Sequence, residues 1–296
     1  MRRYIIVASL LCVNVLSAVY TLDTLDSIRA YVDAVPEAPQ PDDIDWYQPS
    51  FRSFLLSQQP NFFERFRQLF GLWDPRWKLG ELERAVENIR NQYTDVKLKE
   101  NPQGESYRML ALPKNSKVVI WGDLHGAIHS FARGLEEQKR NGYIDNDLKI
   151  LSNDVYFIIL GDAISISPHS AETLTVILHL MEQNPYNVIY LRGTHERNGL
   201  WKNYTLREEL KARGGALTSL DIPLEKELDA LFSSLPRVVY VHMQDSPQEL
   251  IHVSHGGRQL SAEGINKKDA QFIQRVKATI QGEARYSVMK NSQGLE

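Results

Sequence analysis

A chain of 296 residues, 43% hydrophobic and 24% charged, carries enough apolar content for a sizeable core, which excludes a disordered chain. Its formal net charge of −3 removes the electrostatic case for a nucleic-acid partner. The single cysteine, Cys12, sits in the apolar N-terminal run, so a chain trimmed of that run has neither a disulfide framework nor a thiol nucleophile.

Met1-Arg2-Arg3 precedes an almost continuously apolar run over 4–16 and the small pair Ser17-Ala18. That order predicts a signal peptide over 1–18 and an exported protein, periplasmic or secreted. The run is shorter than the ~20 residues of a membrane-spanning helix, so no stable span is expected after cleavage. Leu22, Leu25, Ile28 and Val32 predict a short helix, and Pro36, Pro39 and Pro41 a linker. Residues 51–77 are dense in aromatics; Phe62, Phe66, Leu69 and Phe70 recur at helical spacing, as in a stripe packed on a neighbouring domain. The alternative is a partner-binding surface. Leu82, Val86 and Ile89 predict another amphipathic helix. Residues 22–115 are therefore expected to form a helical N-terminal region, and 116–296 a second domain.

From there the pattern alternates between strand and helix. Val118-Val119-Ile120-Trp121 leads into Gly122-Asp123-Leu124-His125-Gly126. Phe157-Ile158-Ile159-Leu160 leads into Gly161-Asp162, and Val188-Ile189-Tyr190-Leu191 into Arg192-Gly193-Thr194-His195-Glu196. Leu250-Ile251-His252-Val253 comes shortly before His255-Gly256-Gly257. Helical spacing recurs in between, first at Ile128, Phe131 and Leu135, then at Leu174, Ile177, Leu178 and Met181. Leu224, Leu228, Leu231 and Phe232 mark a third helix, and Ile273, Val276 and Ile280 a last one. Residues 237–241 and 249–253 flank Gln244-Asp245-Ser246-Pro247 and predict a hairpin. His129 and His169 match no block and are read as surface residues.

Singly, each block has a plain structural reading: an Asp between strand and helix caps the helix, and a lone His forms a structural hydrogen bond. Together, Asp and His at the ends of successive buried strands supply the mixed oxygen and nitrogen donors that suit manganese, iron or zinc.

The ordered blocks resemble the calcineurin-like metallophosphoesterases, and within them the serine/threonine phosphoprotein phosphatase branch, over Ser116 to Gly257. The resemblance implies an α/β fold, a two-sheet sandwich flanked by helices, here behind a helical N-terminal region. It implies one or two divalent transition metals (Mn, Fe or Zn). Asp123, His125 and Asp162 would hold the first, with Asp162 bridging to a second approached by Thr194 and His255. His195 would protonate the leaving group, and Arg192 would face the phosphate.

The blocks also depart from the family pattern. Ser165 stands where an acid orients the proton-donating His, Ile166 where an arginine clamps phosphate, and Thr194 where an asparagine ligates the second metal. No histidine follows His255, as expected either of a fragment or of a reduced domain. Arg197 and Arg258 are candidate replacement cations. The resulting expectation is a metal-dependent phosphoester hydrolase, protein-phosphatase-like and of reduced activity, acting on a phosphoprotein or a small phosphoester. The alternatives are a pseudophosphatase serving as a binding module and a single-metal hydrolase of another ester.

Overall fold

The structure, a computed structural model, describes residues 20–35, 37, 77–93, 98–100, 106–167, 169–197, 199–213, 223–245 and 250–256. The apolar N-terminus, nearly all of the linker, the aromatic stretch short of Trp77, Arg258 and the last expected helix lie outside the described residues.

Two sheets form the frame. β1 (Lys99–Glu100), β2 (Ser106–Leu112), β6 (Val238–Met243) and β7 (Leu250–Ser254) are ordered β1-β2-β6-β7. β3 (Lys117–Trp121), β4 (Val155–Ile159) and β5 (Val188–Tyr190) make a parallel three-stranded sheet. All five residues of β4 are buried, and the two-residue period of a strand sends them both ways. Val155, Phe157 and Ile159 face a helical layer, while Tyr156 and Ile158 meet Leu110, Leu112, Val239 and Val241 of the other sheet. β7 runs antiparallel to β6, as the hairpin pattern predicts.

The helical layer contains α1 (Leu25–Ala34), α2 (Leu79–Tyr93), α3 (Ile128–Arg140), α4 (Ser170–Gln183), α5 (Thr205–Arg213) and α6 (Pro223–Ser234). Thr24 and Ser27 start α1 with a reciprocal capping box, each side chain accepting the other's backbone N–H at 3.3 Å. α4 is buried nearly all round, as suits a central helix packed by several neighbours. No helix among the described residues is long and apolar enough to cross a membrane.

One departure from the sequence reading matters. The stretch expected to be helical through residue 115 contains β1 and β2, and β2 pairs in parallel with β6 from Tyr107↔Val238 to Leu112↔Met243. Leu110 and Leu112 alternate into the core between the sheets, a period of two hidden in the sequence by the apolar Met109 and Ala111 beside them.

Candidate metal centre

Parallel strands deliver their C-terminal ends to one edge of the sheet, and the loops that follow them meet there. Beyond β4, Leu160 N–H donates to the Trp121 carbonyl at 2.9 Å, and Leu191 N–H to the Ile159 carbonyl at 2.8 Å. The first two blocks are then tied together directly. Leu124 and His125 N–H both reach the Asp162 carbonyl, at 3.1 and 2.8 Å, and Gly126 N–H reaches the Ala163 carbonyl at 2.8 Å. β7 brings His255 in from the other sheet.

Asp162 is the centre of the arrangement, 5% exposed and with a left-handed φ of 47°. Its Oδ1 accepts the His195 backbone N–H at 2.8 Å, leaving Oδ2 facing His255 Nε2 at 3.2 Å and His195 Nε2 at 3.7 Å. His255 Nδ1 lies 3.5 Å from Asp123 Oδ1, and His125 Nε2 lies 3.7 Å from Asp123 Oδ2. The His125 and His195 rings meet edge to face at 5.0 Å.

Two trios have ligand atoms within 4.8 Å of one another: His125, Asp162 and His195, and Asp123, Asp162 and His255. Asp162 belongs to both. The resemblance groups these residues otherwise, keeping His195 for proton transfer; here the His195 ring sits on the same oxygen as His255. The donor set of carboxylate oxygen and imidazole nitrogen suits a divalent transition metal. His125 Nδ1 and His195 Nδ1 are buried without a hydrogen-bond partner among the described residues. The residues present fit the metal.

The residue that shapes this centre is one to which the sequence assigns no role. Glu196 is 1% exposed, and its carboxylate accepts the backbone N–H of Asp162, Ala163 and Gly193 at 2.9, 3.0 and 2.9 Å, and the Tyr190 hydroxyl at 2.8 Å. Burial pushes the Glu196 carboxyl above its ordinary value, against the bonds from Tyr190 and the backbone. Burial also pushes Tyr190 well up, with Glu196 adding to it. The clamp requires the loops after β4 and β5 to touch. A Cβ on Gly161, itself at φ 111°, would collide with the Gly193 backbone, and one on Gly193 would collide with the Asp162 backbone and carboxylate.

Burial lowers the His195 pKa; the Asp162 charge opposes this, and His125 and His255 reinforce it. Tyr204, which no sequence block contains, packs on the His195 ring with centroids 4.3 Å apart. Ser165 is fully buried, but its Oγ has no partner among the described residues, so it does not orient His195. Ser165 and Ile166 both have positive φ, 93° and 69°, rare for any residue but glycine and rarer still for a β-branched one. Thr194 is exposed, whereas Arg192 is half-buried. Of the two histidines read as surface residues, His169 is buried and His129 is half-buried. His169 is 1% exposed and packs edge to face on Tyr31 and on the half-buried His129, whose Nε2 lies 3.1 Å from the carbonyls of Val32 and Val35. They belong to the seat of α1.

A family model for calcineurin-like phosphoesterases matches residues 116–282. The serine/threonine-protein phosphatase SIT4 of Candida albicans is 31% identical over 106 residues, 36% of this chain and 32% of its own length. The phosphatase PP1-1 of Saccharomyces cerevisiae is 28% identical over 106 residues, 36% of this chain and 31% of its own. The matched segment thus spans about a third of these curated relatives. Among solved structures, a serine/threonine phosphatase from Saccharomyces cerevisiae with similarity to human PP5 aligns at a TM-score of 0.41 and 20% identity, over 72% of this chain and 55% of that one. A cold-active protein-tyrosine phosphatase of a psychrophilic Shewanella aligns at 0.38 and 18%, over 60% and 51%. With the family match covering more than half of its length, the chain belongs to the calcineurin-like phosphoesterases.

Proposed function

We propose that the protein is a metal-dependent phosphoester hydrolase of the serine/threonine-phosphatase type with reduced activity. The observation carrying this reading is the convergence of Asp123, His125, His195 and His255 on the buried carboxylate of Asp162. Asp123, Asp162 and His255 would hold one ion, and His125 with Asp162 another, with the exposed Thr194 as the remaining candidate ligand.

A divalent cation bound there supplies Lewis-acid polarisation of the phosphoryl group. The protein's part is to hold the donors and move a proton. Asp162 Oδ1, engaged by the His195 backbone, fixes the loop while Oδ2 stays free to ligate. His195, beside Asp162, would protonate the departing oxygen, and burial, by lowering its pKa, reduces the share of rings carrying that proton, in keeping with reduced activity. Reduced activity follows from what stands around it. Ser165 gives His195 no carboxylate to orient it, and Ile166 puts an aliphatic group where a guanidinium would clamp phosphate. Each such loss corresponds to about 10²-fold in rate. The same two residues favour the second reading, a pseudophosphatase that binds partners through its fold. Export is proposed as well, on the arrangement of residues 1–18.

The test is metal content by elemental analysis, paired with hydrolysis of an aryl phosphate in added manganese. We expect one tightly held transition-metal ion per chain, on Asp123, Asp162 and His255, with the position at His125 and Asp162 filling only in excess metal, and slow turnover. Brisk turnover with two tightly held ions removes the reduced-activity reading. If the triple replacement Thr194→Asn, Ser165→Asp and Ile166→Arg leaves turnover unchanged, the assignment of these three positions is wrong.

A further inference from the structure

We propose that Arg192, Arg197 and Arg237 form an oxyanion site at the mouth of the metal centre, supplying from the β5–β6 side the positive charge that Ile166 does not. The proposal rests on the hydrolase reading, since it places the phosphoryl group of the substrate between these guanidiniums and Asp162.

Arg237 is placed by strand geometry. Along β6, Val239 and Val241 face the core between the sheets, whereas Val238 and Tyr240 face the other side. The two-residue period therefore turns Arg237 to the face of β6 that Val239 shares, the one towards the other sheet. The β6–β7 ladder ends at Val238↔Ser254. Arg237 stands one residue beyond that pair and His255 one residue beyond it on the partner strand, so the register, continued by one residue, sets arginine opposite histidine. His255 in turn reaches Asp162 at 3.2 Å. Arg192 is tied to the same corner, its N–H donating to the Pro236 carbonyl at 2.8 Å. Arg197, exposed on the turn after His195, completes the group.

The electrostatics lack a partner. Among the described residues no carboxylate forms an ion pair with any of the three arginines, and Arg192 Nε is buried without a hydrogen bond. Burial depresses the Arg192 guanidinium, and the like charges of Arg237 and Arg197 depress it further. Gathering like charges around a half-buried guanidinium is unfavourable unless an anion joins them. Guanidinium forks match the oxygens of a phosphoryl group, which carries the charge to offset all of them in part. Ile166, on the loop after β4, brings no charge of its own.

The experiment uses the full chain loaded with manganese. Inorganic phosphate binding is measured by isothermal calorimetry, alongside KM for p-nitrophenyl phosphate. We expect Arg237→Gln to weaken phosphate binding about tenfold and to raise KM similarly, with Arg237→Lys recovering part of the loss and metal content unchanged in both. Should Arg237→Gln fail to fold by circular dichroism, Arg197→Gln at its exposed position is read instead, with an expected loss of about threefold. Phosphate bound by the variant as tightly as by the wild type, or no phosphate bound by the wild type, overturns the proposal. Phosphate binding that depends on Arg237 in a protein that hydrolyses nothing sustains the oxyanion site and overturns the hydrolase reading. Hydrolysis indifferent to Arg237 does the reverse.

Discussion

Asp162 and Glu196 hold each other's loops. Glu196 accepts the Asp162 backbone N–H at 2.9 Å, while Asp162 Oδ1 accepts the N–H of His195, the residue before Glu196, at 2.8 Å. Each acidic side chain thus accepts a main-chain N–H from the other's loop, and only Asp162 Oδ2 remains turned towards the imidazoles. One carboxylate builds the loops and the other is free to ligate.

Replacing Glu196 by Gln removes the charge and puts an amide donor against backbone N–H groups. We expect a loss of about 3 kcal/mol in urea unfolding, with weaker metal binding as a consequence. Unfolding parameters equal to those of the wild type would show that the clamp contributes little.

Gly193→Ala tests the contact between the loops by steric means alone. Its methyl group has no room beside Asp162, so the loops after β4 and β5 must part. We expect at least about 2 kcal/mol of destabilisation and reduced metal content in the folded fraction. Gly142→Ala is the control, since no atom lies within 4 Å of its added Cβ; only the cost of its φ of 73° should appear.

Asp162→Asn keeps the oxygen that receives His195 N–H and removes the charge shared by both trios. Metal affinity should fall about 100-fold or more by competition with a chelator, with the metal-free melting temperature nearly unchanged. A variant that retains wild-type affinity would dismiss Asp162 as a ligand.

Ser165→Gly should stabilise the protein. It removes a buried hydroxyl without a partner among the described residues and relieves a φ of 93°. Set against the greater freedom of glycine in the unfolded chain, a net gain of about 1 kcal/mol is expected. A lower urea midpoint would mean that the hydroxyl is bound after all.

His242, on β6, reports on pH away from the metal centre. Burial holds its pKa below the ordinary imidazole value, while a backbone bond to Met243 opposes this. Between the folded and unfolded values the unfolded chain carries more protons, so stability increases with pH across that window and is lost as pH falls through it. His242→Gln should flatten that part of the pH profile in urea titrations at pH 5 and pH 7 relative to the wild type. Parallel profiles would reject the assignment.

Much of the centre was legible because its parts are local. A buried parallel strand is a continuous apolar run, and the loop after it carries its Asp or His within a few residues, so the order of blocks displays the site before any folding is considered. Glu196 was not legible as a clamp, because backbone N–H groups leave no trace in side-chain pattern. His169 shows the opposite failure: polar residues usually face water, and it is tertiary packing, with Tyr31 and His129 against its ring, that covers this one. Arg237 lies far along the chain from Arg192 and Arg197, and only the β6–β7 register, continued by one residue, brings it opposite His255. β2 was missed because an apolar neighbour on each side conceals its alternation.

That strand has a bearing on how the protein is made. β2 lies ahead of the matched family region, yet its inner partner β6 is synthesised only after β3, β4 and β5. During translation the Tyr107–Leu112 edge stands open through the making of the whole second sheet, an interval in which a nascent strand can find the wrong neighbour. Slow closure of this long-range pairing is where misassembly of the chain would begin.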